Sequence, residues 1–372
     1  MTKEGSFKRA VRQRAQATGL RYTEARAALE KGRTSPFAST RPVEFAELRA
    51  HLETRYGISI TSIAPIDDDP ETRPSGSWIG HYPWTLVVKR ADGSPWIARV
   101  FSSAADTVGR VEGDAEILRF LAAHDFPAER LAHDKPVSVF EGSGVIVTEY
   151  IEGGRPDQSP AVLHELASLL GRLHKLPATG GAVARDGGAE EHDGAFFAGR
   201  PKQDLAAAMS FLVSVEDTVT PEGREMFEWL RDKVEHADDA EGLPEAFTHG
   251  NYHGWAAVGA PGNVSIVGWA GSGRGPRLPA LAWLLTTAGE GNSEGVAAVA
   301  RSYRDHIQLT NDELDRLPAV LAMRPLWLAC LDYRQSTRNG STPSMNEGWI
   351  GWLANPEHAE RLAAQAITSL RV

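Results

Sequence analysis

The feature that most constrains the fold is a change of hydrophobic pattern near residue 150. Before this point the apolar residues fall in short runs that favour strands, at 58–63, 84–89, 96–101 and 145–150. Beyond it they recur mostly every three to four residues, as amphipathic helices require. The pattern therefore predicts an α+β fold with a small β-rich N-terminal part and a larger, mostly helical C-terminal part.

The turn and helix signals refine this division. Asp92-Gly93 separates the second and third strand runs, which predicts a hairpin between them. The Gly-rich stretch 178–194 predicts a long surface loop, of a length that is also found in functional lids. The predicted helices are 43–56, 108–124, 161–175, 203–215, 222–237, 296–307 and 357–370, and a short strand at 264–267 interrupts a Gly-rich segment at 248–277.

Charge is unevenly distributed, because the first 40 residues carry nine Lys and Arg against three Glu, whereas the whole chain of 372 residues has a net charge of −10. Two short helices predicted between residues 6 and 31 make residues 1–40 a basic helical extension. It either binds nucleic acid or an acidic protein partner, or packs on the main body as a solvated appendage. The overall acidity argues against nucleic-acid binding by the whole surface.

The cysteine count and the hydrophobic pattern exclude several classes of protein. Its single cysteine, Cys330, excludes an intramolecular disulfide and a Cys-based zinc cluster, and it lies in an apolar run that favours burial. No apolar run approaches the roughly 18 residues that a membrane span needs, and the N-terminus has no signal-peptide core. We expect a cytoplasmic protein that does not contact the membrane.

The most specific motif occupies residues 249–256 and reads HGNYHGWA. It resembles the catalytic loop His-Gly-Asp-x-His-x-x-Asn of the aminoglycoside phosphotransferase and choline kinase-like family, whose fold is similar to that of protein kinases. In that family the Asp accepts the proton of the attacking hydroxyl and the Asn binds the metal. Asn251 and Ala256 stand in those positions. The amide of Asn251 cannot act as a carboxylate base, and the methyl group of Ala256 cannot bind a metal.

A second acidic motif of the family, Ile-Asp-Trp, corresponds to Val267-Gly268-Trp269, so Gly268 stands where the family has its main magnesium ligand. Ala280 also stands where the family usually has an Asp. Moreover, residues 246–289 contain no Asp or Glu in a stretch of 44. We therefore expect no magnesium site built from this segment, because magnesium requires oxygen ligands of this kind.

The same segment contains basic groups: His249, His253, Arg274 and Arg277. They predict a cleft floor that is neutral to positive and suits an anionic ligand without a metal. Each of these residues is also compatible with a purely structural role.

The resemblance extends from about residue 45 to the C-terminus and implies a two-lobed, protein-kinase-like fold. Arg99 stands where the family places the basic residue that holds nucleotide phosphates, and Glu116 stands where a helix Glu pairs with it. Glu149 and Ile151 belong to a segment similar to the hinge that binds an adenine edge. The resemblance thus implies an N-lobe at 41–153, a C-lobe at 154–372, and a cleft for ATP or GTP without magnesium.

These departures predict a pseudokinase that binds a nucleotide, a peptide or another anionic ligand in the interlobe cleft, or acts as a scaffold or regulatory partner. Two alternatives stay open. One is an active ATP-dependent phosphotransferase of small molecules with acids from elsewhere, such as Asp193 or Glu290. The other is a retasked enzyme of natural-product or peptide modification. The candidate ligand-binding residues are Arg99, Glu116, Glu149, Ile151, His249, Asn251, Tyr252, His253, Trp269, Arg274 and Arg277.

Overall fold

A computed structural model describes residues 42–66, 84–101, 107–177, 179–186, 200–289, 292–338, 340–341, 344–346 and 348–371. The predicted basic extension at residues 1–40 lies outside these ranges. Asp193 and Glu290, the acids considered as substitutes, also lie outside them. No helix among the described residues is long and apolar enough to cross a membrane.

Within the described part of the N-terminal half, five antiparallel strands form one sheet in the order β1-β2-β3-β5-β4. The predicted hairpin is confirmed, since β2 and β3 pair with Val88 opposite Trp96. Strand β4 was not predicted, because four residues are too few for an alternating pattern to stand out. The elements are α1 (Pro42–Tyr56), β1 (Ile60–Pro65), β2 (Trp84–Arg90), β3 (Trp96–Val100), α2 (Thr107–Ala123), β4 (Val137–Phe140) and β5 (Ser143–Glu149).

The sheet is covered on both faces, because its central strands alternate between two apolar clusters. Val145 and Val147 of β5 pack with Leu48 and Leu52 of α1. Ile146, which points to the opposite face, packs in the cluster that contains α2. Burial on both faces explains why β5 is an almost continuous apolar run rather than an alternating one.

The described C-terminal half is built from helices and two short antiparallel strand pairs, β6 with β9 and β7 with β8. Three helices were not predicted. The helix α6 is buried on nearly every side, so it has no polar stripe, and α8 contains Pro318 and Pro325. The helix α9 has only seven residues, too few for a periodic pattern to stand out. The elements are α3 (Pro160–His174), α4 (Pro201–Val215), α5 (Arg224–Glu235), β6 (Glu245–Thr248), β7 (Ala257–Ala260), β8 (Asn263–Ile266), β9 (Gly273–Pro276), α6 (Leu278–Gly289), α7 (Ser293–Arg304), α8 (Asn311–Arg338), α9 (Gly348–Ala354) and α10 (Glu357–Leu370).

The segment that follows α2 connects the two halves. Ala128 forms a parallel bridge with Ile266 at the end of β8, and the Ile266 amide donates to the Pro127 carbonyl at 2.9 Å. The Glu129 amide donates in turn to the Ile266 carbonyl at 3.3 Å. These backbone bonds place Glu129 of the N-terminal half directly beside the loop that begins at Val267.

Candidate ligand-binding site

The loop between β6 and β7 carries the first motif, and the loop after β8 carries the second. They are joined at Val267, whose amide donates to the Ala256 carbonyl at 2.8 Å and whose carbonyl accepts from His249 Nε2 at 3.0 Å. The two loops that resemble catalytic motifs therefore lie against each other, as a shared site requires.

Both histidines of the first loop are buried and neutral. Burial lowers the pKa of His249 to about 4 and that of His253 to about 3. His253 Nδ1 accepts from the Trp255 amide at 3.2 Å, which caps the short 3₁₀ turn Gly254–Ala256. Groups with such low pKa values are weak bases near pH 7, so they offer no general base for a retasked enzyme.

Tyr252 and Trp269 are fixed by internal hydrogen bonds. The Tyr252 hydroxyl donates to the Leu166 carbonyl at 2.8 Å, and its side chain is wholly buried. Trp269 Nε1 donates to the Ile266 carbonyl at 2.9 Å, while its ring stacks parallel to Phe247. Both residues position the loops, and their polar atoms are directed into the fold.

Asn251 of the first motif is bonded to a cation from a distant helix. Its Oδ1 accepts from Arg324 Nη2 at 3.1 Å. Arg324 belongs to α8, is only 5% exposed, and lies 4.8 Å from the ring centre of Trp327 and 5.3 Å from that of Trp283. These distances place its guanidinium within cation–π range of both rings.

The predicted pair of Arg99 with Glu116 is not what the structure shows. Arg99 Nη1 instead binds Glu129 Oε2 at 2.5 Å, and both side chains are almost buried. Glu116 accepts a hydrogen bond from the Ala182 amide at 3.0 Å through its Oε1. Glu129, which follows α2, therefore replaces Glu116 of α2 as the partner of Arg99. The backbone bond of Glu129 to Ile266 holds it beside β3.

Glu129 also joins the lobes through its other contacts. Its Oε2 accepts from Thr148 Oγ1 of β5 at 3.1 Å, and its Oε1 accepts from the Gly268 amide at 2.9 Å. A carboxylate from the N-terminal half thus binds the backbone of the second motif at Gly268.

A second carboxylate comes from α2. Asp114 is paired with Arg185 and accepts from the Gly271 amide, and burial raises its pKa to about 6. Asp114, Glu129, Arg99 and Trp269 all line a narrow cavity between the lobes. The acid-free segment 246–289 therefore receives carboxylates from outside itself. Among the described residues no group of three or more His, Cys, Asp or Glu is arranged to hold a metal ion.

Arg274 and Arg277 do not lie together at the cleft floor. Arg274 Nε donates to Glu245 at 2.9 Å, whereas Arg277 makes a bidentate pair with Glu313 at 2.8 and 2.7 Å. Carboxylates neutralise both, so the expectation that these two residues make the floor positive is corrected. The positive charge beside Asn251 comes from Arg324.

The predicted hinge lies between the lobes and reaches the second half through Gly154, whose carbonyl accepts from the Gly259 amide at 3.0 Å. The Glu149 amide donates a hydrogen bond to the Arg130 carbonyl, and the Glu149 side chain is exposed. Within the described residues, neither the amide nor the carbonyl of Ile151 is bonded to another backbone group. These two groups are suited to the edge of a planar base.

Sequence reasoning missed Glu129 and Arg324. Neither lies in a motif, and no spacing connects them to Arg99 or Asn251. The only sequence signal for Arg324 is a lone basic residue in the apolar stretch of α8 that contains Trp327 and Cys330, since a charge in such a stretch requires a buried partner.

Two lobes, one built on a five-stranded antiparallel sheet and one mostly helical, define a protein-kinase-like fold. The model of the phosphotransferase enzyme family matches residues 85–318, which is more than half of the chain. The chain therefore belongs to this family. No curated protein sequence matches it.

Solved structures share the fold at low sequence identity. An aminoglycoside phosphotransferase from Alicyclobacillus acidocaldarius has a TM-score of 0.53 at 15% identity, over 90% of this chain and 97% of that one. An amicoumacin kinase in complex with AMP-PNP and Ca²⁺ has a TM-score of 0.52 at 13% identity, over 87% and 92%. An aminoglycoside-3′-phosphotransferase of type VIII has a TM-score of 0.51 at 21% identity, over 77% and 98%.

Proposed function

We propose that this chain is a catalytically degenerate phosphotransferase homologue. It binds an anionic ligand such as a nucleotide in the interlobe cleft without magnesium, and it acts as a binding or regulatory component rather than as a kinase. The observation that carries the proposal is the contact of Asn251, at the position that corresponds to the family's base, with the buried Arg324.

The residues present do not fit the chemistry of phosphoryl transfer. That reaction depends on positioned metal ions and on a group that orients the nucleophile. At the corresponding positions Gly268 has no side chain, Ala256 has only a methyl group, and the Asn251 oxygen is engaged by Arg324. Loss of a positioned general base alone typically costs about 10²- to 10⁴-fold in rate.

The Arg99–Glu129 pair limits how Arg99 can meet a phosphate. Arg99 stands where the family has the basic residue that holds the phosphates, and its Nη1 is already bound by Glu129 at 2.5 Å. A phosphate oxygen placed about 4 Å from the Glu129 carboxylate would meet a repulsion of roughly 4 kcal/mol at an effective dielectric constant of 20. Phosphates therefore reach Arg99 through the guanidinium N–H groups that face away from Glu129.

The hinge supports retention of a planar base. The backbone groups of Ile151 are not used by other backbone groups among the described residues. We therefore expect a nucleotide to be held at the hinge through its base. Its phosphates would lie near the two motifs without a metal ion. In the related amicoumacin kinase, AMP-PNP and Ca²⁺ are bound together; here we expect binding that is independent of the metal.

The test is calorimetric titration of ATP and GTP, with magnesium and with EDTA, together with an assay for transfer of labelled phosphate. We expect affinities that agree within about twofold between the two conditions, because the described site lacks metal ligands, and no transfer above background. A gain of more than about tenfold in affinity on adding magnesium, or measurable turnover of ATP, would refute the proposal.

One observation favours a second candidate, an active ATP-dependent phosphotransferase of small molecules. Glu129 and Asp114 bring carboxylates to the amides of Gly268 and Gly271, so acids from the N-lobe stand beside the second motif. If they replace the missing ligands, magnesium-dependent transfer will be measurable, and both Glu129→Gln and Asp114→Asn will abolish it. No transfer in the unmodified protein eliminates this candidate.

A further inference from the structure

The orientation of the Asn251 amide is fixed by its partner. The guanidinium of Arg324 can only donate hydrogen bonds, so the atom that faces Nη2 at 3.1 Å must be the amide oxygen. The Nδ2 group of Asn251 must then point the other way. The Asn251 side chain is partly exposed, and no described group accepts a hydrogen bond from its Nδ2.

A buried cation lies beside this amide, while the carboxylate of Glu129 acts on His249 at the start of the same loop. Arg324 is buried and fixed between the rings of Trp283 and Trp327. The other charged group that acts on neighbouring His253 from outside the loop is Arg155, also a cation. Burial strengthens the field of a charge, because less water screens it.

We infer that the Nδ2 group of Asn251, backed by Arg324, is the point at which this protein recognises an anionic oxygen, the phosphate or carboxylate of a small molecule. This inference rests on the proposed metal-free cleft and specifies its chemistry. The position that holds a hydrogen-bond acceptor in active relatives becomes a donor next to a buried cation. The site therefore binds the charged end of its ligand where a kinase binds a substrate hydroxyl.

The direct probe is the side-chain amide resonance of Asn251 in protein labelled with ¹⁵N only at asparagine. The chain contains seven asparagines, so the spectrum is simple, and the resonance pair lost in Asn251→Asp identifies the residue. The unmodified protein is titrated with inorganic phosphate, with succinate and with metal-free ATP. We expect the Asn251 pair to shift with phosphate, with succinate or with both, and this comparison also shows which of the two anions the site prefers.

The variant Asn251→Asp tests the same contact by calorimetry, because it keeps the shape of the side chain and turns the donor into an acceptor. Loss of a hydrogen bond to a charged group weakens binding about 10- to 100-fold, and we expect a loss in this range for the ligand that shifts the resonance. Asn292→Asp is the matched control. Asn292 caps α7 by accepting from the Gly295 amide, and an aspartate caps equally well, so binding should not change.

The outcomes separate the two proposals. If the unmodified protein and the Asn251→Asp variant bind ATP or an anion equally well, or if the Asn251 resonances of the unmodified protein stay fixed during binding, this inference is wrong and the proposed function stands. If the unmodified protein binds none of the three probes, with or without magnesium, the proposed function itself is refuted. The resonance shift is measured on unmodified protein, so it does not depend on the folding of any variant.

Discussion

Replacing Glu129 by Gln should weaken the junction between the lobes by several kcal/mol. The carboxylate accepts three hydrogen bonds, from Arg99 at 2.5 Å, from Thr148 at 3.1 Å and from the Gly268 amide at 2.9 Å. A glutamine has the same shape but one acceptor oxygen, so its NH₂ group must face at least one donor. Arg99, with 11% of its side chain exposed, would also lose its counter-charge. Removing one partner of a buried ion pair costs about 3–5 kcal/mol.

The assay measures the free energy of unfolding in urea for the unmodified protein, Glu129→Gln, Arg99→Met and the double variant, which together form a double-mutant cycle. Most of the cost of each single change comes from stranding the other charge, so the double variant should lose less than the sum, with a coupling of about 2 kcal/mol or more. Glu116→Gln is the comparison, since the glutamine keeps an oxygen that accepts from the Ala182 amide and the change should cost no more than about 1 kcal/mol. Additivity within about 0.5 kcal/mol, or a larger loss for Glu116→Gln, would refute the assignment of Glu129 as the partner of Arg99.

Three further predictions concern stability and are measured by the same unfolding assay. Gly268→Ala should cost about 1–2 kcal/mol, because the φ angle of +81° is unfavourable for a residue with a Cβ although no atom lies within 4 Å of it; no loss would contradict this backbone conformation. Tyr252→Phe should cost about 1 kcal/mol through its hydroxyl and leave anion binding unchanged, so weaker binding would show a ligand contact. His253 has a folded pKa of about 3, below its unfolded value, so the unfolded state takes up the proton first and stability falls with pH from about 6.5 downward. His253→Gln removes this dependence, so its stability deficit should shrink by about 1.4 kcal/mol per pH unit between pH 6 and 4; a constant deficit would contradict the neutral buried histidine.

The parts of the fold that could be predicted are those that local chemistry determines. The β2–β3 hairpin follows from its Asp-Gly turn, and α3 follows from its helical apolar periodicity, which buries Val162, Leu166 and Leu173. Helix α8 could not be found in this way, because Pro318 within it is a local signal against a helix and only tertiary packing overrides it.

The partners within the site could be predicted less well than the motifs, since pairing depends on tertiary position. Arg99 has a carboxylate on the following helix at the spacing that the family uses, yet the nearer carboxylate in space is Glu129, placed by backbone bonds to Ile266. In the same way, the absence of acids from 246–289 describes one segment of chain, while the site includes side chains from α2 and α8. Charge counted along the sequence is therefore a poor measure of charge in the cleft.

The proposed function also predicts the outcome of placing acids at both motifs: because Asn251 and Gly268 already contact charged side chains, two new carboxylates alone should not produce a kinase. A carboxylate introduced by Asn251→Asp would meet Arg324 at about hydrogen-bond distance and would be held in an ion pair with a depressed pKa, which makes it a weak base. A carboxylate introduced by Gly268→Asp would stand beside Glu129, and their mutual repulsion opposes the arrangement unless a cation enters. We therefore expect the double variant to transfer labelled phosphate from ATP only at background level, even if it gains affinity for magnesium. Activity well above background would show instead that the two missing carboxylates are the only difference that matters between this chain and its active relatives.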